Sequence, residues 1–290
     1  MPNALQETHA TKETSSTPIV DIDAYFERID YKGDRAPTLE TLQAIHQKHA
    51  ATIPFENLNP LLRWAVKLDI GSLQQKIIRE HRGGYCFEQN ILLSHMLKAL
   101  GFKVTWLAAR VLWNRPAGVV NPKTHMLLLV KVKNESYIAD VGFGGCTLTA
   151  PIQLIIGPEQ STPHEPFRLT KKNEDIVLEV KLREEWKPLY YFNLQEQLLP
   201  DYEVVSYYLC HHPDSHFLKT LRAARSGPGY RYALNNNEFA VHYLNGPTER
   251  KILSTVEEVL VTLQNIFLIK LPDTPELKKI VASIMNEVEL

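Results

Sequence analysis

The sequence predicts an α+β fold in which a helical segment comes first, a β segment follows, and a mixed segment ends the chain. Apolar residues recur at helical spacing through the first hundred residues. From Phe102 the pattern changes to short apolar runs separated by turn residues, which is typical of antiparallel strands. After Pro200 helical and strand patterns mix. Element types that are segregated along the chain indicate the α+β class.

Two helices are predicted before residue 53. Asp21 or Asp23 is placed to cap a short helix, and Thr38 is placed to cap a longer one, because both residue types accept hydrogen bonds from the first free amides. The apolar face of the first helix consists of Tyr25, Phe26 and Ile29. The face of the second consists of Leu39, Leu42, Ile45, His46 and His49.

Two more helices flank a pair of glycines. Ser72 is predicted to cap the first of them, and the glycines at residues 83–84 separate it from the second. The second helix is expected to run from about Cys86 to Leu100 and to end at Gly101, a residue type that commonly terminates helices. The inward residues of the first of these helices are Leu73, Ile77 and Ile78.

The middle of the chain is predicted to form an antiparallel sheet or barrel. Turn residues at 114–122 and 133–135 join its first three strands. The predicted strands cover residues 102–113, 124–132, 137–141, 167–170, 176–182 and 190–193.

The last segment is predicted to contain both element types. A short helix precedes two strands that meet at the three asparagines 235–237. Ser254 and Glu257 have the spacing of a capping box for a helix that reaches about Phe267, and Pro275 begins a final helix. The two strands cover residues 230–234 and 238–244. No internal repeat is evident.

The composition excludes several classes of protein. Of 290 residues, 44% are hydrophobic and 22% are charged, and the formal net charge is −1. This near-neutral charge argues against wholesale binding to nucleic acid or to an anionic membrane, and it leaves room for a local basic pocket. No apolar run approaches the ~18 residues of a membrane span. Residues 1–18 are polar and rich in threonine and serine, so we predict a disordered leader there.

The three cysteines, Cys86, Cys146 and Cys210, do not form the pattern of a secreted disulfide framework. Their number is odd and their spacing is wide, which indicates a reducing, cytoplasmic compartment. Cys210 precedes two histidines, but three adjacent residues cannot all face one ion, so no metal site is predicted. Cys146 is predicted to be structural.

The strongest chemical signal is the string RGGYCFEQN at residues 82–90. It places Cys86 directly after a glycine break, where a helix begins and where the free amides and the helix dipole favour a thiolate. Arg82 is expected to add positive potential. The alternative is that Cys86 is a small buried hydrophobic residue, which is the usual role of a free cysteine.

A thiolate nucleophile needs a base and a group that orients the base. His125 opens an apolar strand, and Asp140 ends the next strand after a short turn, so hairpin pairing is expected to bring them together. An acid at the end of an apolar strand is costly to bury without a partner. For each residue the alternative is structural: a hydrogen-bonded core histidine, and an aspartate in a surface turn. The order Cys, His, Asp is that of papain-like enzymes.

These residues lie within motifs that resemble those of the arylamine N-acetyltransferases, in the same order along residues 22–270. The string at residues 82–88 resembles the active-site motif of that family. The long insertion typical of vertebrate members is absent, which favours the prokaryotic type. Further matching strings are YFERI at 25–29, IPFENL at 53–58, ARV at 109–111, THM at 124–126, DVGFG at 140–144 and HPDSHF at 212–217.

The resemblance implies a helical bundle at residues 19–101, a β-barrel at 102–205 and an α/β lid at 206–290, built around a papain-like Cys-His-Asp core. It also implies a ping-pong reaction in which Cys86 takes an acetyl group from acetyl-CoA and passes it to an aromatic amine or hydrazine, with no metal. Backbone amides near Cys86 and Thr124 are expected to stabilise the oxyanion. The implied substrate-binding residues are Phe55, Phe87, Val111, Phe143 and Phe217, and the implied CoA-binding residues are Thr124, Gly142 and Gly144.

Other functions stay open at the level of sequence. An amide (macrolactam) synthase or a longer-chain acyltransferase would use the same triad with a different pocket. A papain-like amidase would let water discharge the acyl-enzyme, which an aromatic pocket disfavours. A silent binding protein would have no need for all three triad residues. The preferred amine, the CoA phosphate contacts and the oligomeric state are not determined by the sequence.

Overall fold

The computed structural model describes residues 20–116 and 118–287, and it has the predicted α+β architecture. The predicted leader at residues 1–18 lies outside the described residues. Within them, helices pack against two antiparallel sheets, one of seven strands and one of five. In this part of the chain we find no helix that has both the length and the apolar character needed to cross a membrane.

The amino-terminal helices begin where the sequence predicts. Helix α1 (Ile22–Arg28) follows Asp21, whose side chain accepts a hydrogen bond from the Ala24 amide at 3.0 Å. Helix α2 (Leu39–Thr52) follows Thr38, whose hydroxyl caps its first turn in the same way. Both predicted caps are therefore confirmed, with Asp21 rather than Asp23 at the first helix.

A short strand and two short helices follow α2. Strand β1 (Phe55–Glu56) leads into α3 (Leu58–Leu61), and α4 (Ile70–Leu73) continues into a π-helical turn at Gln74–Arg79. The predicted cap at Ser72 is wrong by three residues. The Asp69 carboxylate accepts from the Ser72 amide at 2.9 Å, so Asp69 precedes the helix and Ser72 lies inside it.

The helix that carries the predicted nucleophile is α5 (Cys86–Ala99), and it is buried along most of its length. Leu100 ends it, and Gly101 follows with a φ of +92°, a conformation that strongly favours glycine. The start and the end of this helix are both confirmed. Helix α5 packs against α1 and α4, so it forms the centre of the amino-terminal core.

The seven-stranded sheet follows and is nearly closed. Its strand order is β5-β4-β3-β2-β8-β7-β6, and the chain after β5 bridges to β6 through the pairs Ile156–Leu169 and Gln160–Phe167. These bridges bring the two edges of the sheet together, as the predicted barrel requires. Its strands are β2 (Lys103–Val111), β3 (His125–Val132), β4 (Glu135–Ala139), β5 (Ile152–Gln153), β6 (Phe167–Lys172), β7 (Asp175–Leu182) and β8 (Glu185–Glu196).

Within the described residues, the last segment contains a second sheet, three α-helices and a short 3₁₀ helix, His216–Leu218. The strand order of this sheet is β1-β9-β10-β11-β12, so its edge strand comes from the amino-terminal segment and pairs Phe55 with Ala224. The elements are α6 (Leu199–His211), β9 (Arg222–Gly227), β10 (Tyr230–Asn235), β11 (Glu238–Tyr243), β12 (Thr248–Ile252), α7 (Val256–Asn265) and α8 (Pro275–Glu287).

Three features of this segment differ from the sequence prediction. Strands β9 and β12 were not predicted. The helix α7 is capped by Thr255, whose hydroxyl accepts from the Glu258 amide at 3.1 Å, so the predicted box at Ser254 and Glu257 is displaced by one residue. Helix α6 spans thirteen residues and crosses the predicted boundary at 205/206. The other domain boundaries stay predictions.

Asn57 joins the amino-terminal segment to the start of β9. Its side-chain amide is fully buried, donates to the carbonyl oxygens of Phe217 (3.1 Å) and Thr220 (2.8 Å), and accepts from the Arg222 amide (2.8 Å). These three hydrogen bonds satisfy two carbonyl groups that precede β9 and the amide of its first residue. They hold residues 217–222 in one conformation beside β1.

Candidate active site

The predicted nucleophile Cys86 is the first residue of α5 and is only 4% exposed. The glycine break before it allows two chain segments to approach closely. A side chain at Gly83 would lie 2.1 Å from the carbonyl oxygen of Pro54, and the Gly84 amide donates to that same oxygen at 3.3 Å. The glycines therefore let the chain run against β1 and enter the helix at Cys86.

The structure brings the three predicted catalytic residues together. The Nε2 of His125 lies 2.7 Å from Oδ2 of Asp140, and the Cys86 side chain is close enough to the imidazole to help raise its pKa. The Cys86 sulfur lies 3.6 Å from the Thr124 carbonyl oxygen. His125 is the first residue of β3, and Asp140 directly follows β4, so the hairpin between these strands positions the pair as predicted.

The electrostatics of the pair favour a protonated imidazole. Burial lowers the pKa of His125, but the charge and hydrogen bond of Asp140 outweigh it and raise this pKa to about 10. Burial likewise opposes the charge on Asp140, yet His125, Asn90 and the Gly142 amide hold the pKa of that carboxyl below its usual value. Near neutral pH the pair is therefore an imidazolium and a carboxylate.

Two side chains that the sequence reasoning missed complete the shell around Asp140. Asn90 Nδ2 donates to its Oδ1 at 3.0 Å, and the Tyr190 hydroxyl donates to its Oδ2 at 2.9 Å. The Gly142 amide adds a third donor at 2.9 Å. Asn90 follows Cys86 by four residues, so helical spacing could have placed both on one face of α5. Tyr190 lies in an apolar strand and carried no such signal.

His46 fixes the backbone of Asp140 from the other side. Its Nε2 accepts a hydrogen bond from the Asp140 amide at 3.1 Å. Burial lowers the pKa of His46 to about 4, against a smaller opposing effect of Asp140, so this imidazole is neutral and can accept. His46 was predicted only as part of the apolar face of α2. The structure shows that it also ties that helix to the active-site loop.

The expected role of Arg82 is not supported by the geometry. Its guanidinium is buried and forms an ion pair with Glu56 at 2.7 Å, and it donates to Asn59 at 3.0 Å. The positive charge is therefore neutralised by a carboxylate from β1. Sequence reasoning failed here because Glu56 lies 26 residues earlier.

Four of the five predicted substrate-binding residues are partly exposed near the triad. Phe143 contacts the His125 ring, with centroids 5.0 Å apart, and Phe217 contacts Phe55 at 6.1 Å. Val111 pairs with Tyr190 across β2 and β8. Phe87 differs, because it is fully buried against Tyr85 and Tyr202 and exposes no ring surface to a ligand. Phe55, Val111, Phe143 and Phe217 are the four half-buried residues.

The predicted CoA-binding residues lie beside the nucleophile. A side chain at Gly142 would lie 2.6 Å from the Cα of Cys86, so this loop packs directly on the start of α5. Gly144 has a φ of +88° and faces the Phe55 ring. Thr124 is half-buried and presents its carbonyl oxygen to the sulfur. Gly142 and Thr124 therefore lie against Cys86 and Gly144 lies against Phe55, and none of the three carries a charge for a phosphate.

Three cationic side chains lie around His216, the residue before Phe217. The Arg115 guanidinium is 3.2 Å from Nε2 of His216, and Lys219 and Arg222 face the same imidazole. Burial and these three cations lower the pKa of His216, and burial and Arg115 lower that of Arg222. Mutual repulsion of this kind marks a place where an anion would be favoured. We call Arg115, Lys219 and Arg222 the cationic cluster.

The other two cysteines are not part of the triad. Cys146 and Cys210 are both free, and burial raises the pKa of each thiol to about 11. The two histidines after Cys210 stack separately on Tyr207 and Tyr208. Across residues 20–116 and 118–287 there is no group of three or more His, Cys, Asp or Glu side chains arranged to hold a metal ion.

Comparison with known proteins identifies the class to which this fold and site belong. A family model described as N-acetyltransferase matches residues 38–276, which is most of the chain. The chain is 42% identical over 253 residues to the arylamine N-acetyltransferase of Escherichia coli K12, covering 87% of this chain and 89% of that protein. It is 43% identical over 258 residues to that of Mycolicibacterium smegmatis, covering 88% and 94%.

Solved structures agree with these relatives. The arylamine N-acetyltransferase of Mycobacterium marinum superimposes with a TM-score of 0.89 at 35% identity, covering 91% of this chain and 99% of that one. The same enzyme in complex with CoA superimposes with a TM-score of 0.88. The chain therefore belongs to the arylamine N-acetyltransferase family, and it is an acyltransferase.

The contact between Gly142 and Cys86 gives a first prediction. Gly142→Ala places a methyl group against the α5 backbone, so the loop or the helix has to move. We expect the rate of Cys86 alkylation by iodoacetamide at pH 7 to fall about tenfold or more. Gly145→Ala is the matched control, because a side chain there meets nothing within 4 Å. Equal alkylation rates in both variants would contradict the packing argument.

The His125–Asp140 pair gives a second prediction. In Asp140→Asn the imidazole loses its anionic partner while its burial remains, so the pKa of His125 should fall from about 10 to below its ordinary value of ~6.5. NMR titration of the His125 ring measures this directly. Asp30→Asn removes an exposed carboxylate far from the site and serves as the control. A titration of His125 that is the same in both variants would exclude the pairing.

Proposed function

We propose that this chain transfers an acetyl group from acetyl-CoA to an aromatic amine or hydrazine by a ping-pong mechanism through an acetyl-Cys86 intermediate. The observation that carries the proposal is the position of Cys86 at the start of a buried helix, beside the hydrogen-bonded pair of His125 and Asp140. A protonated imidazole beside a thiol favours the thiolate, which is the reactive nucleophile.

The first half of the proposed reaction loads the enzyme. The Cys86 thiolate attacks the thioester carbonyl carbon, the carbon–sulfur bond to CoA breaks, and the CoA sulfur takes the proton from His125. His125 is then neutral and Cys86 carries the acetyl group. Backbone amides at the start of α5 and near Thr124 are the proposed donors to the oxyanion, where the loss of one donor costs about 10² to 10³ in rate.

The second half returns the enzyme to its starting state. The amine nitrogen attacks the acetyl-cysteine carbonyl, neutral His125 takes a proton from that nitrogen, and Cys86 leaves as a thiolate. Asp140 remains ionised throughout and stabilises the imidazolium each time it forms. The half-buried rings of Phe55, Phe143 and Phe217 support an aromatic acceptor, because such rings favour stacked or edge-on contacts.

The residues present fit the proposed co-substrate. Gly142, Gly144 and Thr124 provide uncharged backbone close to Cys86, which suits the thioester arm. The cationic cluster supplies positive charge around His216, the residue before Phe217, and we propose that it contacts the CoA phosphates. The structure of the Mycobacterium marinum relative in complex with CoA supports the choice of donor. The three free cysteines favour a cytoplasmic location.

Mass spectrometry of the protein after incubation with acetyl-CoA tests the mechanism. We expect a gain of one acetyl group on Cys86, its loss when an arylamine is added, and no gain in Cys86→Ala. Acetylation at another residue, or turnover by Cys86→Ala, would show the mechanism to be wrong. CoA release without any amine would indicate a hydrolase, and activity with long acyl thioesters alone would indicate an amide synthase or a longer-chain acyltransferase.

The cationic cluster gives a separate prediction about the donor. Lys219→Gln and Arg222→Gln should each raise the KM for acetyl-CoA about five- to tenfold, because each removes one positive charge that would contact a CoA phosphate. The KM for S-acetylpantetheine, which has no phosphate, should not change. Lys251→Gln, an exposed lysine on β12, is the control. Equal effects on both donors would exclude phosphate binding, and an effect only on carboxylate-bearing amines would assign the cluster to the acceptor.

A further inference from the structure

Four charged side chains are buried together at the start of α5. Lys76 Nζ lies 2.6 Å from Glu88 and 3.8 Å from Glu56, and Arg82 lies 2.7 Å from Glu56. The exposed fractions of these side chains are 12% for Lys76, 5% for Arg82, 1% for Glu88 and 0% for Glu56. With two cations and two anions, the group is neutral. We call it the buried quartet.

Glu88 connects the buried quartet to the nucleophile. It lies in the first turn of α5, two residues after Cys86, and its Oε2 accepts from the Tyr85 amide at 3.1 Å. Its Oε1 accepts a hydrogen bond from Lys76 Nζ. The side chain therefore closes the end of the helix at the residue before Cys86, and a side chain at Gly84 would collide with it at 2.8 Å.

This capping role introduces an electrostatic conflict. A carboxylate in the first turn stabilises the helix, but an uncompensated negative charge beside Cys86 disfavours a thiolate. Burial and the nearby Glu56 raise the pKa of Glu88, while Lys76 acts in the opposite direction. Lys76 is the cation in hydrogen-bond contact with Glu88, since Arg82 is directed to Glu56 and Asn59.

The backbone around Lys76 is irregular in a way that fixes its position. Lys76 lies within the π-helical turn Gln74–Arg79, and its carbonyl oxygen accepts from the Arg82 amide at 3.1 Å. Arg28 Nε donates to the next carbonyl, that of Ile77, at 3.0 Å. π-Helical turns are rare and occur often at functional sites. Here the turn places Lys76 against the start of α5.

We propose that Lys76 is a positioning residue for acyl transfer, which cancels the charge of Glu88 so that Glu88 can cap α5 without opposing a thiolate at Cys86. This inference rests on the proposed function, because it assumes that the Cys86 thiolate is the nucleophile. Lys76 acts through Glu88 and contacts neither the sulfur nor a substrate.

Several other titratable groups face this part of the molecule. Glu56 and Arg82 complete the buried quartet, and His125 faces Cys86 from β3. Helix α6 contributes Tyr202 and Cys210, and Tyr85 directly precedes Cys86. Each of them is present in every variant below, so their effects cancel in the comparison.

The test is a cycle of three variants, Lys76→Gln, Glu88→Gln and the double variant, read by the pH dependence of Cys86 alkylation with iodoacetamide. Lys76→Gln leaves the quartet with a net negative charge. The midpoint of the pH dependence of Cys86 alkylation should therefore move to higher pH by roughly half a pH unit or more. Glu88→Gln leaves a net positive charge, so the midpoint should move to lower pH. The double variant is neutral again and should return close to the original midpoint.

The opposite signs separate charge from structural damage. A merely structural role would slow alkylation in both single variants without moving their midpoints in opposite directions, and that result would overturn the proposal. Lys76→Arg keeps the charge and should keep the midpoint. If a single variant fails to fold, Lys76→Arg and the double variant still test the idea, because a displaced midpoint in either contradicts it.

A matched control pair, Glu258 and Lys251, lies at the start of α7. Glu258 lies in the first turn of that helix, accepts from the Ser254 amide and is paired with Lys251 at 3.2 Å, but the pair is exposed. The same cycle at these two residues should leave the midpoint unchanged. Alkylation needs no acetyl-CoA, so the outcome is independent of the donor. If the variants shift the midpoint as expected but no acetyl-Cys86 forms with acetyl-CoA, the proposed function is rejected and the role of Lys76 is retained.

Discussion

The buried carboxylate of Asp140 is the group on which the arrangement of the site depends. An isolated carboxylate in a protein interior is strongly disfavoured, so its position is possible only where donors are provided. Here the donors come from four parts of the chain, and His46 also holds the Asp140 amide from α2. The need to satisfy one carboxylate therefore joins the helical segment to the seven-stranded sheet. The donors to the carboxylate are His125, Asn90, Gly142 and Tyr190.

The same requirement explains the second concentration of buried charge. Glu56 accepts from Arg82 and from the Leu58 amide, so it fixes both the chain before Cys86 and the start of α3. Asn57, the next residue, performs the equivalent task without charge for the backbone before β9. Three consecutive residues, Phe55 to Asn57, thus contact the nucleophile loop, the buried quartet and the last segment. The short strand β1 is central to the fold although it is only two residues long.

The sequence predicted the elements whose signals are local. Helices α1, α2 and α5 have capping or terminating residues and apolar side chains, and β3 is an apolar run. These four elements could therefore be recognised from neighbouring residues. Strand β12 is exposed throughout and mostly polar, and β9 is rich in arginine and alanine, so neither shows the usual strand pattern. The π-helical turn depends on contacts with Arg28 and Arg82, which propensity does not describe.

The site shows the same division between local and long-range information. Cys86, His125 and Asp140 could be selected because each lies beside a turn or a helix end, and hairpin pairing relates two of them. Tyr190 and His46 could not be selected, because their hydrogen bonds to Asp140 span 50 and 94 residues. Arg82 was misjudged for the same reason. A charged residue next to a nucleophile is informative only when its partner is known.

The burial of the nucleophile bears on why such a site favours transfer over hydrolysis. The Cys86 side chain, which is only 4% exposed, has little contact with water. Under the proposed function, the half-buried rings of Phe55, Phe143 and Phe217 would favour an aromatic amine over water, so the same apolar surface would shield an acyl group and select the molecule that removes it.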